Sequence, residues 1–122
     1  MAKNAFAISN RVLIEALTAD KTYTELDCGK VFTNRGAAGE VQITLPDAEL
    51  KFDGHNFKMV VQTAQNFKVA TATNDTLISR NDATADSILS AQIGNEIHVF
   101  CDGSSWYAYG STDGGSYTIA TL

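Results

Sequence analysis

The sequence predicts an all-β domain, an antiparallel β-sandwich or jelly-roll-like small barrel with an extended N-terminal arm. Apolar residues recur at period two rather than 3.6, and clusters of Gly, Asn, Asp and Ser break the chain into short runs. The one proline, Pro46, follows an alternating run, where a residue without a backbone donor is expected to end a strand. At 122 residues the chain has the length of a single domain that buries roughly two thirds of its unfolded surface, enough for one core.

Taken in order, residues 1–11 (MAKNAFAISNR) precede the regular pattern yet carry Phe6 and Ile8, which a free tail usually lacks. They read either as a first strand or as an arm that packs on a partner. The expected division is an arm over 1–11 and a single β domain over 12–122, with Phe6, Ile8 and Arg11 as partner-binding candidates. RVLIEALTADK contains good helix formers, but KTYTELD after it favours strand, and the segment is read as strand. GKVFTNR follows, and then EVQITLP, in which Val41, Ile43 and Leu45 point one way and Gln42 and Thr44 the other. NFKMVVQT, NFKVATAT, TLISR, EIHVF, SWYAYG and SYTIATL read as further strands. ATADSILSAQIG is expected to hold one helical turn capped by Thr84 or Asp86.

Charge limits the partners. A net charge of −5 with nine scattered Lys and Arg forms no basic stripe, which excludes a nucleic-acid role of the counterion-releasing kind. No apolar run is long enough for a membrane span, and the N-terminal stretch lacks the apolar block of a signal peptide, so synthesis in a cytosol is expected. Cys28 and Cys101 are too few for a disulfide framework and are expected as small buried thiols.

The stretch HVFCDGSSWYAYG (98–110) gathers the residue types of a nucleophilic hydrolase, but the spacing argues against one. His98 and Cys101 are three apart, so on one strand they face opposite ways. Asp102 and Gly103 signal a hairpin turn that Ser104 and Ser105 extend, without a G-x-S-x-G elbow. His55, after KFDG, reads as a solvated turn histidine. The histidines and cysteines lack zinc spacing, and the Asn74, Asp75, Asn81, Asp82 and Asp86 cluster lacks the glycine and glutamate of an EF-hand loop. No enzyme, metal or cofactor is expected. Trp106 and Ala108 share one strand face and Tyr107 and Tyr109 the other, which makes Trp106 a core residue and Tyr107 and Tyr109 partner-binding candidates.

The order DCGKVFTNRGAAGEVQITLP, a middle portion, and then GNEIHVFCDGSSW resembles a pattern of small structural proteins of tailed bacteriophages. Its residues here are Cys28, Gly29, Asn34, Arg35, Gly36, Gly39, Leu45, Pro46, Gly94, Cys101, Asp102, Gly103 and Trp106. LKFDGHNFK departs from it in carrying more charge than the plain turn expected there. The resemblance implies a β module that binds rather than reacts. The first expectation is a decoration, or cement, protein on the capsid surface of the virion, made in the bacterial cytoplasm. It would hold the major capsid protein and assemble as a homo-oligomer, a trimer. The alternative is a tail-fibre or adhesion module holding a host glycan through Trp106, Tyr107, Tyr109 or Tyr117.

Overall fold

The alternation in EVQITLP is realised as a strand from Val41 to Leu45, with Val41, Ile43 and Leu45 buried and Gln42 and Thr44 half-buried, and Pro46 ends it. The structure, a computed structural model, describes residues 11–80, 82–110 and 117–120. Across these residues the strands are β1 (Ile14–Ala16), β2 (Lys21–Thr22), β3 (Val31–Thr33), β4 (Val41–Leu45), β5 (Asn56–Val60), β6 (Phe67–Thr71), β7 (Leu77–Ser79), β8 (Asp82–Ala85), β9 (Ser87–Ser90), β10 (Glu96–Cys101), β11 (Trp106–Gly110) and β12 (Thr118–Ala120). Two single-turn 3-10 helices span Glu25–Asp27 and Leu50–Phe52.

The strands form two packed sheets, as the sequence predicts. One has seven strands in the order β1-β3-β5-β10-β11-β7-β8, and the other five in the order β12-β9-β6-β4-β2. The pairing is mixed rather than antiparallel. β1 with β3, β3 with β5, β2 with β4, β4 with β6 and β7 with β11 all run parallel. From β1 to β6 the chain changes sheet at every connection, so each pair of strands makes one coil laid against the previous coil. Residues after β6 supply the hairpins β7–β8 and β10–β11, and antiparallel contacts join the two portions at β5–β10 and β6–β9. Period-two alternation cannot separate these arrangements, because each sheet keeps one face toward water in both.

The helical turn expected in ATADSILSAQIG is absent. Asp82–Ala85 and Ser87–Ser90 are strands in different sheets, and the chain crosses between them at buried Asp86. The Asp86 carboxylate accepts from the Asp75 N–H at 2.6 Å, its carbonyl accepts from Thr71 at 3.2 Å, and its own N–H donates to Ala120 at 2.6 Å. Extended backbone serves three neighbours there, more than one isolated helical turn could satisfy.

The core lies between the sheets and includes Phe32, Phe57, Met59, Ile97 and Val99 from the larger and Val41, Ile43, Leu45, Phe67 and Val69 from the smaller. Trp106 is buried among them, as expected, and its indole N–H donates to the Pro46 carbonyl at 2.7 Å, which ties β11 to the end of β4. Its ring meets those of Tyr23 and Phe52 at 5.4 and 5.7 Å. Asn34, in the arch between β3 and β4, is fully buried and reaches the arch between β5 and β6, one coil further on. Its Oδ1 accepts from the N–H groups of Gln62 and Thr63 at 2.7 and 2.9 Å, and its Nδ2 donates to the carbonyls of Thr63 and Gln65 at 2.9 and 3.3 Å. One side chain thus satisfies backbone groups that an arch, unlike a strand, leaves without ladder partners.

Candidate partner-binding face

β10 and β11 close through Asp102–Ser105, with Cys101 opposite Trp106. Gly103 has φ of +88°, and the Asp102 carboxylate accepts from the Ser104 and Ser105 N–H groups at 2.9 and 2.8 Å, so the serines belong to the turn. The Tyr107 hydroxyl donates to the other Asp102 oxygen at 2.6 Å. That bond holds the Asp102 carboxyl below its ordinary range and raises the Tyr107 phenol.

His98 and Cys101 do face opposite ways. Cys101 is in the core, where burial raises its thiol against the partial offset of the Gly103 N–H at 3.4 Å. His98 is on the outer face, 3.2 Å from Glu96, and Glu96 also pairs with Lys58 at 3.5 Å.

Register gathers the outer face of the larger sheet into a row. Ile14 lies opposite Val31, Val31 opposite Lys58, Lys58 opposite His98 and His98 opposite Tyr109, so one line of outward side chains crosses five strands. A second line runs from Asn56 through Phe100 and Tyr107 to Ile78. Rings of the two lines stack in pairs, His98 with Tyr109 at 5.6 Å and 13°, and Phe100 with Tyr107 at 4.8 Å and 10°. Between this ridge and the β1 side runs a groove of about 350 Å³ whose lining includes Val12, Val31, Lys58, Phe100 and Tyr109. At its edge Val12, Leu13 and Ile14 are 53, 64 and 65% exposed, and Phe100 and Tyr109 are 38 and 45% exposed.

Of the candidates read from sequence, Tyr107 and Tyr109 come together on this face, and Arg11 is exposed at the start of the described chain. Phe6 and Ile8 lie outside the described residues. Trp106 is in the core, and Tyr117 packs over Gly110 with its hydroxyl donating to the Glu96 carbonyl at 3.0 Å. Sequence reasoning passed over His98, Phe100, Lys58, Val31 and Ile14. The signal for the first two was present: with Cys101 and Trp106 inward, even positions of β10 must point out.

Two other expectations are corrected. His55 is not a solvated turn residue: it is half-buried, its Nδ1 is 2.6 Å from the Tyr23 hydroxyl, and its ring sits edge-on to Phe52 and Tyr23. Burial and the nearby Cys28 raise the Tyr23 phenol, which keeps its hydroxyl protonated. Cys28 is exposed rather than buried, because it follows the 3-10 turn Glu25–Asp27 instead of lying within a strand. In that turn Asp27 is buried and ion-pairs with Lys30 at 2.9 Å and Lys21 at 3.3 Å. Burial pushes its carboxyl up, but the two ammonium groups and the Thr24 N–H outweigh that and hold it below the ordinary value.

Among the described residues no three or more His, Cys, Asp or Glu side chains gather as metal ligands, and no helix is long and apolar enough to cross a membrane. No protein-family profile and no curated protein matches the chain.

Proposed function

We propose that the chain is a binding module of a tailed-bacteriophage virion, a decoration protein that lays the outer face of its seven-stranded sheet against the major capsid protein on the mature head, as a trimer. The observation that carries the reading is the five-strand row ending in the stacked His98 and Tyr109 rings, with Phe100 and Tyr107 beside it. Exposed aromatic groups supported on a rigid sheet are the usual anchors of a protein contact. The sequence resemblance supplies the virion context.

The mechanism is binding alone. Contacts made only with the mature shell stabilise it by mass action, about 2.7 kcal/mol per site at a hundredfold excess over Kd. The alternative is a tail-fibre or adhesion module that holds a glycan. Tyr109 gives it an exposed ring, but each ring of the two pairs already covers one face of its neighbour. The other face of each ring is left open, so the preference for a protein contact rests on the breadth of the row, which crosses five strands and is wider than one sugar ring would cover.

The test mixes the protein with undecorated heads, followed by co-sedimentation and electron microscopy. Decoration at the head surface is expected, with occupancy reduced about tenfold or more by a Phe100→Ala/Tyr109→Ala variant that melts normally. Density on the tail alone, or full occupancy by the variant, would overturn the proposal.

A further inference from the structure

We infer that the open edge of β1 pairs with the same edge of a second copy of this chain, antiparallel about a twofold axis through Leu13. The inference does not rest on the virion assignment, since it concerns the free protein, and it leaves the Phe100 and Tyr109 rings uncovered.

β1 ends the larger sheet, and among the described residues no strand lies beyond it. The Leu13 carbonyl accepts from the Val31 N–H at 3.0 Å and the Leu17 N–H donates to the Thr33 carbonyl at 2.8 Å, so the odd positions of this stretch bond to β3. By alternation Val12, Ile14 and Ala16 turn their N–H and C=O groups outward, where a further strand can meet them. The edge is apolar as well, since Val12, Leu13 and Ile14 are exposed in succession. β8, at the other end of the same sheet, carries Asp82 and a break in its register with β7, two features that oppose pairing with another chain. In β1 the ladder with β3 is unbroken, and its one charge, Glu15, can meet an opposite one.

The side chains choose the register. The outward backbone groups bond only when even positions face even positions, which requires a twofold axis centred on a residue. Centring on Glu15 sets two carboxylates side by side, and centring on Ile14 sets Glu15 against the partner's Leu13. Centring on Leu13 joins the two Leu13 side chains, sets Val12 beside the partner's Ile14, and brings Arg11 opposite the partner's Glu15, twice by symmetry. Glu15 is already 2.9 Å from Lys30, so Arg11 extends an existing ion pair.

The twofold axis of an antiparallel pair stands perpendicular to the sheet, so the outer faces of both copies look the same way. The row that runs from Tyr109 to Ile14 in one copy then continues through the partner's Val12. A twofold contact cannot close a trimer, so this one is separate from any that does. On a head it would join chains of neighbouring trimers.

The test is disulfide trapping in the full chain with Cys28→Ser, which removes the exposed native thiol and leaves the buried Cys101. Under mild oxidation, Leu13→Cys is expected to cross-link to a second copy about tenfold faster than Arg11→Cys or Glu15→Cys does to itself. Only position 13 meets itself in this register, whereas positions 11 and 15 each sit four residues, about 13 Å, from their own copies. An equal mixture of Arg11→Cys and Glu15→Cys chains should give about tenfold more mixed dimer than either self-dimer.

A Leu13→Cys rate no faster than the other two, the result if another segment or a different partner holds the edge, would overturn the proposal. A mixture dominated by self-dimers would do the same. Arg11→Glu in the Leu13→Cys background supplies a second measurement, because it sets a carboxylate against the partner's Glu15. It should slow the cross-link about tenfold at low salt, with the thermal melt checking that the domain is folded. An unchanged rate in that folded variant would also overturn the pairing.

Discussion

Gly110→Ala is a change of one methyl group that should unseat the closing strand. The backbone at Gly110 is not in the left-handed region, and nothing in its conformation refuses an alanine. The obstacle is Tyr117, because a Cβ at position 110 falls inside the Tyr117 ring. The ring must swing away, losing its packing on the core and the 3.0 Å bond from its hydroxyl to the Glu96 carbonyl. Partial loss of an aromatic burial costs about 1 to 2 kcal/mol and the hydrogen bond about 1 more, so the variant should be less stable by roughly 2 to 3 kcal/mol. Tyr117→Ala alone should cost a similar amount.

The double variant separates this account from a general intolerance of change. With the ring gone the new methyl has room, and alanine restricts the unfolded chain more than glycine does. Gly110→Ala should then be neutral or stabilising by about 0.5 kcal/mol in the Tyr117→Ala background. Urea unfolding of the four proteins gives the coupling, expected at roughly 2 to 3.5 kcal/mol. Additive losses would refute the reasoning.

Other consequences can be measured the same way. Trp106→Ala should cost about 3 to 5 kcal/mol, read as a large drop in the denaturant midpoint, since the indole fills the core and bonds to the Pro46 carbonyl. Asn34→Ala should cost about 3 kcal/mol, and hydrogen exchange at the Gln62 and Thr63 amides should quicken, because both lose their acceptor. The lowered carboxyl of Asp27 contributes stability that is present above its unfolded value and lost as pH falls below about 4. Asp27→Asn should therefore be less stable by about 3 kcal/mol at pH 7 and show a flatter acid limb in thermal melts from pH 6 to 2.

The strands were legible in the sequence because one wet face and one dry face impose period two, and Val41–Leu45 and Glu96–Cys101 show it plainly. The pairing was not, since the same alternation serves a hairpin and a coil. Segments that cross between sheets were also misread. Ala83 to Leu89 has the composition of a helical turn, and only the backbone needs of Asp75, Thr71 and Ala120 at Asp86 make it extended. The outward Tyr107 and Tyr109 followed from parity with Trp106. The rest of the face did not, because Ile14, Val31 and Lys58 come from strands whose neighbours depend on that coil. His55 was misjudged because its partner Tyr23 is distant in sequence and brought near only by packing.

The coiled arrangement of β1 to β6 also decides how the chain responds to being cut. Every parallel pair there joins residues far apart, as Ile14 with Val31, Val31 with Lys58 and Val41 with Phe67. No pair within it can close through a tight turn, so each must overcome the entropy of a long loop before its contacts compensate. The β10–β11 ladder closes over Asp102–Ser105 alone, and β10 then offers β5 an antiparallel edge. A fragment ending at Thr71 would keep both parallel triplets yet lose β9 and β10, the two strands that meet them. The strands β9 and β10 thus anchor the coil that precedes them, and a cut after Thr71 removes the support of that coil as well as the strands beyond the cut.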